Sequence, residues 1–319
     1  MLGTARIART QVIPAMQASE HHRIVAVGSR DIARATEFAH ELGIPRAYGS
    51  YEELLDDPEV EAIYNPLPNH LHVPWSARAL FSGKHVLCEK PIAMDASSAR
   101  ELAEAQRAAG KLVAEAFMVR AHPQWLRVHE LVRSGDIGRL GLVTGHFSYA
   151  LKDPANVRNR LEYGGGVLRD IGCYPVMLSR WLFGEEPTGV SAMIDRDPVT
   201  GVDRLTSGLL RFPSGQAVFT CGGALVPAQS MVLYGERARI SVEIPFNPLP
   251  DRPARIVIDD GRDLIGGGAR MEEFPIVNQF ALQADRFADA IRGVGEVPVS
   301  IYEAVQNMEV IEALFKNGV

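Results

Sequence analysis

The chain has 319 residues, roughly two ordinary domains' worth, and its 46% hydrophobic and 23% charged residues suit a globular protein that buries a large core without cross-links. A net charge of −6 disfavours non-specific binding to nucleic acid or to anionic membranes, and no apolar run is long enough for a membrane-spanning helix. Cys88, Cys173 and Cys221 are scattered, with no CxxC pair and no Cys/His ligand spacing, so neither a disulfide frame nor a metal site is expected; with no charged-then-apolar leader at Met1-Leu2-Gly3-Thr4, the expected compartment is the cytoplasm.

The chain opens on Gly3-Thr4-Ala5-Arg6-Ile7-Ala8, a G-x-A-x-x-A variant of the dinucleotide fingerprint. Three tiny residues at this spacing allow a tight turn, approach of backbone to a pyrophosphate, and packing of helix on strand. The same spacing also occurs in ordinary turns, so its weight comes from the strand-and-helix rhythm downstream of it. A strand should precede Gly3, yet only Met1 and Leu2 stand there. Either the strand is unusually short or residues precede the sequence as given; the second is favoured, and it removes the force of the missing leader.

Residues 24–27 form a short apolar run ended by Gly28, which predicts a buried parallel strand. A helix is expected over 32–42, stopping at Gly43, and a short one over 51–55. Strands at 62–64, 85–88 and 112–114 alternate with helices at 71–81 and 96–109, and Pro66 and Pro68 lie in the loop leaving the first of them. This rhythm predicts a parallel sheet with helices on both faces, a Rossmann-type domain over residues 1–120. An acidic residue after the strand that ends at Gly28 would bind the ribose 2′-hydroxyl of NAD; Ser29 and Arg30 stand there instead. Arg30 either pairs with the 2′-phosphate of NADP or is a solvated helix-start residue. Asp31 suits the helix N-cap.

The pattern changes after about residue 120. A helix over 123–133 ends in Ser134-Gly135, and strand-like pieces come after it. Residues 209–212 and 217–220 flank Pro213-Ser214-Gly215 as an antiparallel hairpin, and 240–244 and 255–258 continue the strand pattern. A late helix places Phe280, Ala284, Phe287, Ala288 and Ile291 on one face, and a terminal helix runs over 302–316. The expected fold is therefore α/β plus α+β: an N-terminal Rossmann domain with a parallel sheet, then a domain over 121–319 with an open, mostly antiparallel β-sheet for substrate binding and oligomerisation.

Four phrases occur in order: Tyr64-Asn65-Pro66-Leu67-Pro68-Asn69-His70-Leu71-His72, Cys88-Glu89-Lys90-Pro91, Glu115-Ala116-Phe117-Met118 with His122-Pro123-Gln124, and Gly164-Gly165-Gly166-Val167-Leu168-Arg169-Asp170-Ile171-Gly172-Cys173-Tyr174-Pro175. Together they resemble the glucose–fructose oxidoreductase / inositol dehydrogenase (Gfo/Idh/MocA) family over nearly the whole chain. Asn156-Val157-Arg158-Asn159 and a tyrosine at 174 resemble the branch of D-xylose dehydrogenases and dimeric trans-dihydrodiol dehydrogenases. The resemblance implies a Rossmann domain followed by an open sheet that often forms a dimer interface. It implies that Lys90 serves catalysis and that Tyr174 donates and accepts the substrate proton.

Oxidation of a sugar hydroxyl removes a hydride, which the nicotinamide takes, and a proton, which a protein base must take. A free tyrosine, with a pKa near 10, is a poor base, and a lysine ammonium would lower it. Lys90 and Tyr174 thus make a coherent catalytic pair. Asp170, four residues before Tyr174, shares its face if the segment is helical. It either binds a substrate hydroxyl, orients the pair or caps the helix; Gly164 to Gly166 would let backbone approach the substrate. The cofactor-binding residues expected are Gly3, Thr4, Ala5, Arg6, Ile7, Ser29, Arg30, Pro66, Leu67, Asn69, His72, Glu89 and Lys90. His122 either reaches the cleft or is structural. The leading reading is an NADP-preferring dehydrogenase, with NAD possible, of a sugar or cyclic diol, working as a homodimer. The alternatives are an enzyme that retains NADP while cycling two sugars, and a non-catalytic sensor or regulator on the same scaffold.

Overall fold

The computed structural model describes residues 1–319. They form two compact units, Met1–Ala121 with Asn278–Met308, and His122–Val277 with Glu309–Val319. The first boundary falls beside the division expected at residue 120, but the chain returns: the late helical segment belongs with the N-terminal unit.

In the first unit a helix over residues 6–17 contains a π-helical stretch, Ala8–Val12, before α1 (Ile13–Gln17). Next come β1 (Ala26–Gly28), α2 (Ile32–Leu42), β2 (Arg46–Tyr48), α3 (Tyr51–Asp56), β3 (Ala62–Asn65), α4 (His72–Phe81), β4 (His85–Glu89), α5 (Ala96–Ala109) and β5 (Val113–Ala116). β1 pairs in parallel with β2, and β3, β4 and β5 form a parallel set in that order. Met1 and Leu2 run between the two sets: Leu2 bridges Gly28, and its amide donates to the Tyr64 carbonyl at 3.0 Å. The strand expected before Gly3 is thus represented by two residues.

The helices begin and end where their capping chemistry dictates. Asp31 accepts from the amides of Ala33 (2.9 Å) and Arg34 (3.4 Å) at the start of α2, which stops at Gly43 with φ +63°. Asp95 caps α5 through the Ser98 amide at 2.7 Å, and Gly110, φ +64°, ends it. The apolar face of α2 joins a core that includes Ala8, Val12, Ile13, Val27, Phe38 and Phe287. β2 is an element that periodicity does not predict: it is three half-buried residues with no apolar run to announce it.

The second unit carries α6 (Pro123–Arg133), β6 (Leu140–Ala150), a π-helical stretch Leu168–Gly172 leading into α7 (Cys173–Phe183), and then β7 (Gly189–Arg196), β8 (Asp203–Arg211), β9 (Gln216–Gly222), β10 (Ala224–Gly235), β11 (Arg239–Val242), β12 (Arg255–Asp259) and β13 (Ala269–Glu273). These strands make one eight-stranded sheet of order β13-β12-β11-β10-β6-β9-β8-β7. Only β6 and β9 pair in parallel, so the sheet is mostly antiparallel, as expected. The β8–β9 hairpin closes on Arg211 opposite Gln216. One face is buried, with Phe147, Leu210, Phe219, Met231, Leu233 and Ile256 all below 10% exposure. The register puts Met193, Leu209, Val218, Tyr234 and Met271 on the other face, where each is at least 37% exposed. The last helices are α8 (Gln279–Ile291) and α9 (Ile301–Lys316).

Candidate cofactor and active-site residues

The glycine-rich turn has the geometry its composition requires. Gly3 sits at φ +70°, and a Cβ there would lie 2.9 Å from the Leu67 side chain. Its amide donates to the Gly28 carbonyl at 2.7 Å, tying the turn to the end of β1. Thr4 and Ala5 lead into the helix that starts at Arg6 and Ile7, while Ala8, fully buried, lets that helix pack down. The amides of a helix's first turn have no partner inside the helix and face an incoming anion. A glycine that admits no side chain, followed by a free helix N-terminus, fits the pyrophosphate of a dinucleotide. Ser29 is buried at the end of β1, and Arg30 next to it is exposed.

The loop leaving β3 is held by a buried polar cluster. Asn65 donates to the His72 carbonyl (3.1 Å) and to Ser76 Oγ (3.0 Å), and accepts from the Leu67 amide (3.3 Å). Pro66 and Leu67 are buried behind the turn, and Asn69 opens a short 3-10 turn, Asn69–Leu71. The His72 ring lies between two carbonyls, Nδ1 at 2.8 Å from Pro91 O and Nε2 at 2.6 Å from Leu67 O. Burial pushes this imidazole down to about 4, against the pull of both oxygens. His72 thus sits between the loops at the carboxyl ends of β3 and β4 and, when neutral, donates to one of the two carbonyls.

Lys90 comes directly after β4, half-buried, at the carboxyl end of a parallel strand where ligands of such sheets bind. The Lys90–Pro91 peptide is cis. The turn around it is fixed from three sides: Tyr64 donates to Glu89 (2.7 Å), His72 meets the Pro91 carbonyl, and the Ile92 amide donates to Glu115 (2.7 Å).

In the second unit Tyr174 stands in the first turn of α7, 4% exposed, against the rings of Phe147 and Phe246 at 5.9 and 5.5 Å. Asp170 lies in the π-helical stretch ahead of it, so the segment is helical, as the shared-face expectation required. Arg158 Nε donates to Asp170 Oδ2 at 2.6 Å. Burial, and next the Asp170 carboxylate, hold the Tyr149 hydroxyl protonated by pushing its pKa up. The Arg158 guanidinium interacts by charge with Asp170 first, and also with Tyr149 and Tyr174. A phenolate at Tyr174 therefore has a cation to favour it within its own unit.

The glycine run lies close against the protein itself. A Cβ at Gly165 would lie 2.4 Å from the Arg158 carbonyl, and one at Gly166, φ +109°, 1.9 Å from Asp203 Oδ1. The amide of Gly166 donates to the Arg158 carbonyl and that of Gly165 to the Arg160 carbonyl, both at 2.9 Å. The glycines admit the protein's own backbone and a buried carboxylate, and this close approach is what excludes side chains there. Capping also falls elsewhere: Asp203 accepts from the Leu168 amide (2.7 Å) and from Thr206 Oγ1 (3.1 Å), and burial raises its carboxyl to about 6. Sequence reasoning misses Arg158, Tyr149 and Asp203 as site residues. Arg158 lies in the Asn-Val-Arg-Asn phrase, whose signal in the sequence is only that of a branch marker.

His122 is structural in the local sense: its Nδ1 accepts from the Gln124 amide at 3.2 Å and caps α6, at 2% exposure. Burial lowers its pKa from 6.5 to about 4. The folded state thus resists a proton that the unfolded chain takes up. The stabilising contribution is complete above pH 6.5 and is lost as pH falls through about 4. It amounts to roughly 3 kcal/mol for a shift of this size. His122→Asn keeps a capping side chain without a titrating group. Denaturant unfolding of this variant should show a shallower loss of stability between those pH values, and an unchanged slope would refute the assignment.

Comparison with known proteins agrees with the geometry. Residues 1–117 match the oxidoreductase family with an NAD-binding Rossmann fold, and residues 125–241 match the GFO/IDH/MocA C-terminal domain. The chain is 44% identical to the uncharacterized oxidoreductase ORF334 of Rhizobium meliloti, over 100% of this chain and 96% of that protein. It is 38% identical to D-xylose 1-dehydrogenase (NADP(+)) 2 of Haloferax volcanii, again over 100% and 96%. Among solved structures, a 3-ketoreductase from Actinomadura kijaniata in complex with NADP and TDP-benzene superposes with a TM-score of 0.91 at 28% identity, covering 99% of this chain and 96% of that one. No helix is long and apolar enough to cross a membrane. The turn at Gly3, the lysine at the end of β4 and two-domain matches over most of the sequence lead to one assignment: the chain belongs to the GFO/IDH/MocA family of NAD(P)-binding oxidoreductases.

Proposed function

We propose that the protein is an NADP-preferring dehydrogenase acting on a hydroxyl carbon of a sugar or cyclic diol. The observation that carries this reading is the set of Tyr174, Arg158 and Asp170, a phenol facing a guanidinium whose carboxylate partner lies on the same helical segment. The nicotinamide, when bound, takes or returns the hydride. Tyr174 moves the proton of the reacting hydroxyl, Arg158 favours its phenolate, and Asp170 accepts a hydrogen bond from a second hydroxyl. Lys90 holds the reacting oxygen and favours the same phenolate. The alternative of a silent sensor gains no support from this set, because a sensor needs no proton relay. NADP preference rests on Arg30 standing where NAD enzymes carry an acid, and on the names of the xylose dehydrogenase and ketoreductase relatives.

The test is turnover by the purified protein, followed by nicotinamide absorbance, over aldopentoses, aldohexoses and cyclic trans-diols with NADP and NAD. Oxidation of at least one with NADP is expected. No oxidation of any alcohol and no reduction of any ketosugar would overturn the proposal. Cofactor that survives gel filtration, with turnover requiring two sugars, would replace it by the cycling reading.

A homodimer formed through the open sheet is part of the same proposal. The outer face carries the exposed apolar side chains of Met193, Leu209, Val218, Tyr234 and Met271 among polar ones, and exposed apolar side chains on an open sheet are often covered by a partner. Light scattering at micromolar concentration should give twice the chain mass, and a strictly monomeric mass would count against it. The cytoplasm is the compartment proposed, where three buried thiols stay reduced.

A further inference from the structure

We infer that Asp203 is a positioning residue for the reaction, its carboxylate anchoring the turn of chain that sets Arg158 and Asp170 against one another. The inference rests on the proposed roles of Tyr174, Arg158 and Asp170, and adds to them the group that keeps the pair in register.

Asp203 opens β8 and is 2% exposed. β8 pairs with β7 on one side and β9 on the other, so the carboxylate stands on a strand held from both edges. Its Oδ2 accepts from the Leu168 amide at 2.7 Å and from Thr206 Oγ1 at 3.1 Å. Leu168 begins the π-helical stretch, where the first amides have no partner inside the helix, and Val167 ahead of it supplies no side-chain cap. Oδ1 lies against Gly166, 1.9 Å from where a Cβ would stand. Gly166 in turn donates its amide to the Arg158 carbonyl at 2.9 Å, and its own carbonyl accepts from the Asp170 amide at 3.2 Å. The contact of Arg158 Nε with Asp170 Oδ2 at 2.6 Å closes the ring. One buried carboxylate thus abuts both arms of the ion pair: the glycine that holds the arginine's backbone, and the helical turn that carries the aspartate.

This task needs an acceptor in the right place more than it needs a charge. Both donors point at one oxygen, and a carbonyl oxygen of asparagine has two lone pairs to accept from both. The charged and titratable groups that interact with the carboxylate are Arg169 and Cys221. Burial raises the carboxyl to about 6, against the pull of the Leu168 amide, the Thr206 hydroxyl and Arg169. It is therefore ionised throughout the range in which a tyrosine titrates. The charged groups of the neighbouring pair are Arg158 and Asp170, and Tyr149 beside them is held protonated.

The experiment is the pH dependence of kcat and KM for the best substrate, between about pH 7 and 10, in the purified protein and in Asp203→Ala, Asp203→Asn and Arg158→Met. Thermal unfolding counts the folded molecules of each. Asp203→Ala should lower kcat per folded molecule about 10- to 100-fold, the cost of displacing a group from its working position, with the KM for NADP unchanged. It should also move the limb of the pH profile assigned to Tyr174 upward by about one unit, because the phenolate loses its cation. A residue that only supports the fold would lower the folded fraction and leave that limb in place. Asp203→Asn should recover most of kcat and return the limb toward its parental pH, and Arg158→Met should move the limb as Asp203→Ala does. If Asp203→Ala yields no folded protein, Asp203→Glu, which keeps the charge and displaces the oxygen, should move the limb the same way. A parental limb in the folded variant, or an Asp203→Asn protein as impaired as Asp203→Ala, would overturn the inference. A parental limb in Arg158→Met would instead sink the proposed role of Arg158 on which it rests.

Discussion

Tyr174→Phe is expected to turn over the best substrate about 10²–10⁴-fold more slowly than the parent protein, the usual loss when a general base is removed. Phenylalanine preserves the ring packed on Phe147 and Phe246 and removes only the hydroxyl, so unfolding and cofactor binding should be unchanged. Tyr149 cannot take over, because burial and the Asp170 carboxylate hold its hydroxyl protonated. The basic limb of the parent pH profile should alter in the variant. Near-parental rate with an unaltered profile would show that Tyr174 is packing and that another group carries the proton.

Lys90→Ala should lose activity by at least about 100-fold, in kcat more than in KM, if its ammonium acts on the reacting oxygen as that oxygen gains charge. The hydrogen bonds of Glu89, the Pro91 carbonyl and the Ile92 amide remain in this variant, and an unchanged thermal midpoint should show that the turn survives. Lys90→Arg keeps the charge on a planar fork and should recover little, because the two cations present their donors differently. The double variant Lys90→Ala/Tyr174→Phe should be impaired far less than the product of the single losses, as for groups serving one step. Independent, multiplicative losses would mean that the two residues serve separate steps.

Most of the alternating elements of the first unit are legible in the sequence because local chemistry punctuates them. Asp31 and Gly43 bound α2, Gly110 ends α5, and a proline opens α6, each visible as a residue type at a fixed offset. β1 is less legible: the apolar run starts at Ile24, but the ladder begins only at Ala26, where β2 supplies a partner. β7, whose exposed residues outnumber its buried ones, offers no apolar run to find. The return of Asn278–Met308 to the first unit depends on contacts across more than a hundred positions, which periodicity does not encode.

The same divide runs through the site. Lys90, Tyr174 and Asp170 sit in recognisable phrases, whereas Arg158 and Asp203 act through partners 12 and 35 positions away. Three adjacent glycines announce that something comes close, without saying what. Within the protein, the Arg158 carbonyl and the Asp203 carboxylate are the groups that approach.

The clip at Gly165 and Gly166 also separates what is fixed from what is changeable. Two backbone hydrogen bonds, to the carbonyls of Arg160 and Arg158, locate the cation that serves Asp170. The exposed side chains of Lys152, Asp153, Pro154 and Ala155, just upstream, take no part in these two bonds. Evolution, or a designer, has there a stretch whose chemistry is exchangeable while the carboxylate–guanidinium pair keeps its place. The glycines are not exchangeable in this way: a methyl group added at Gly165 would meet the Arg158 carbonyl at 2.4 Å and displace the arginine itself.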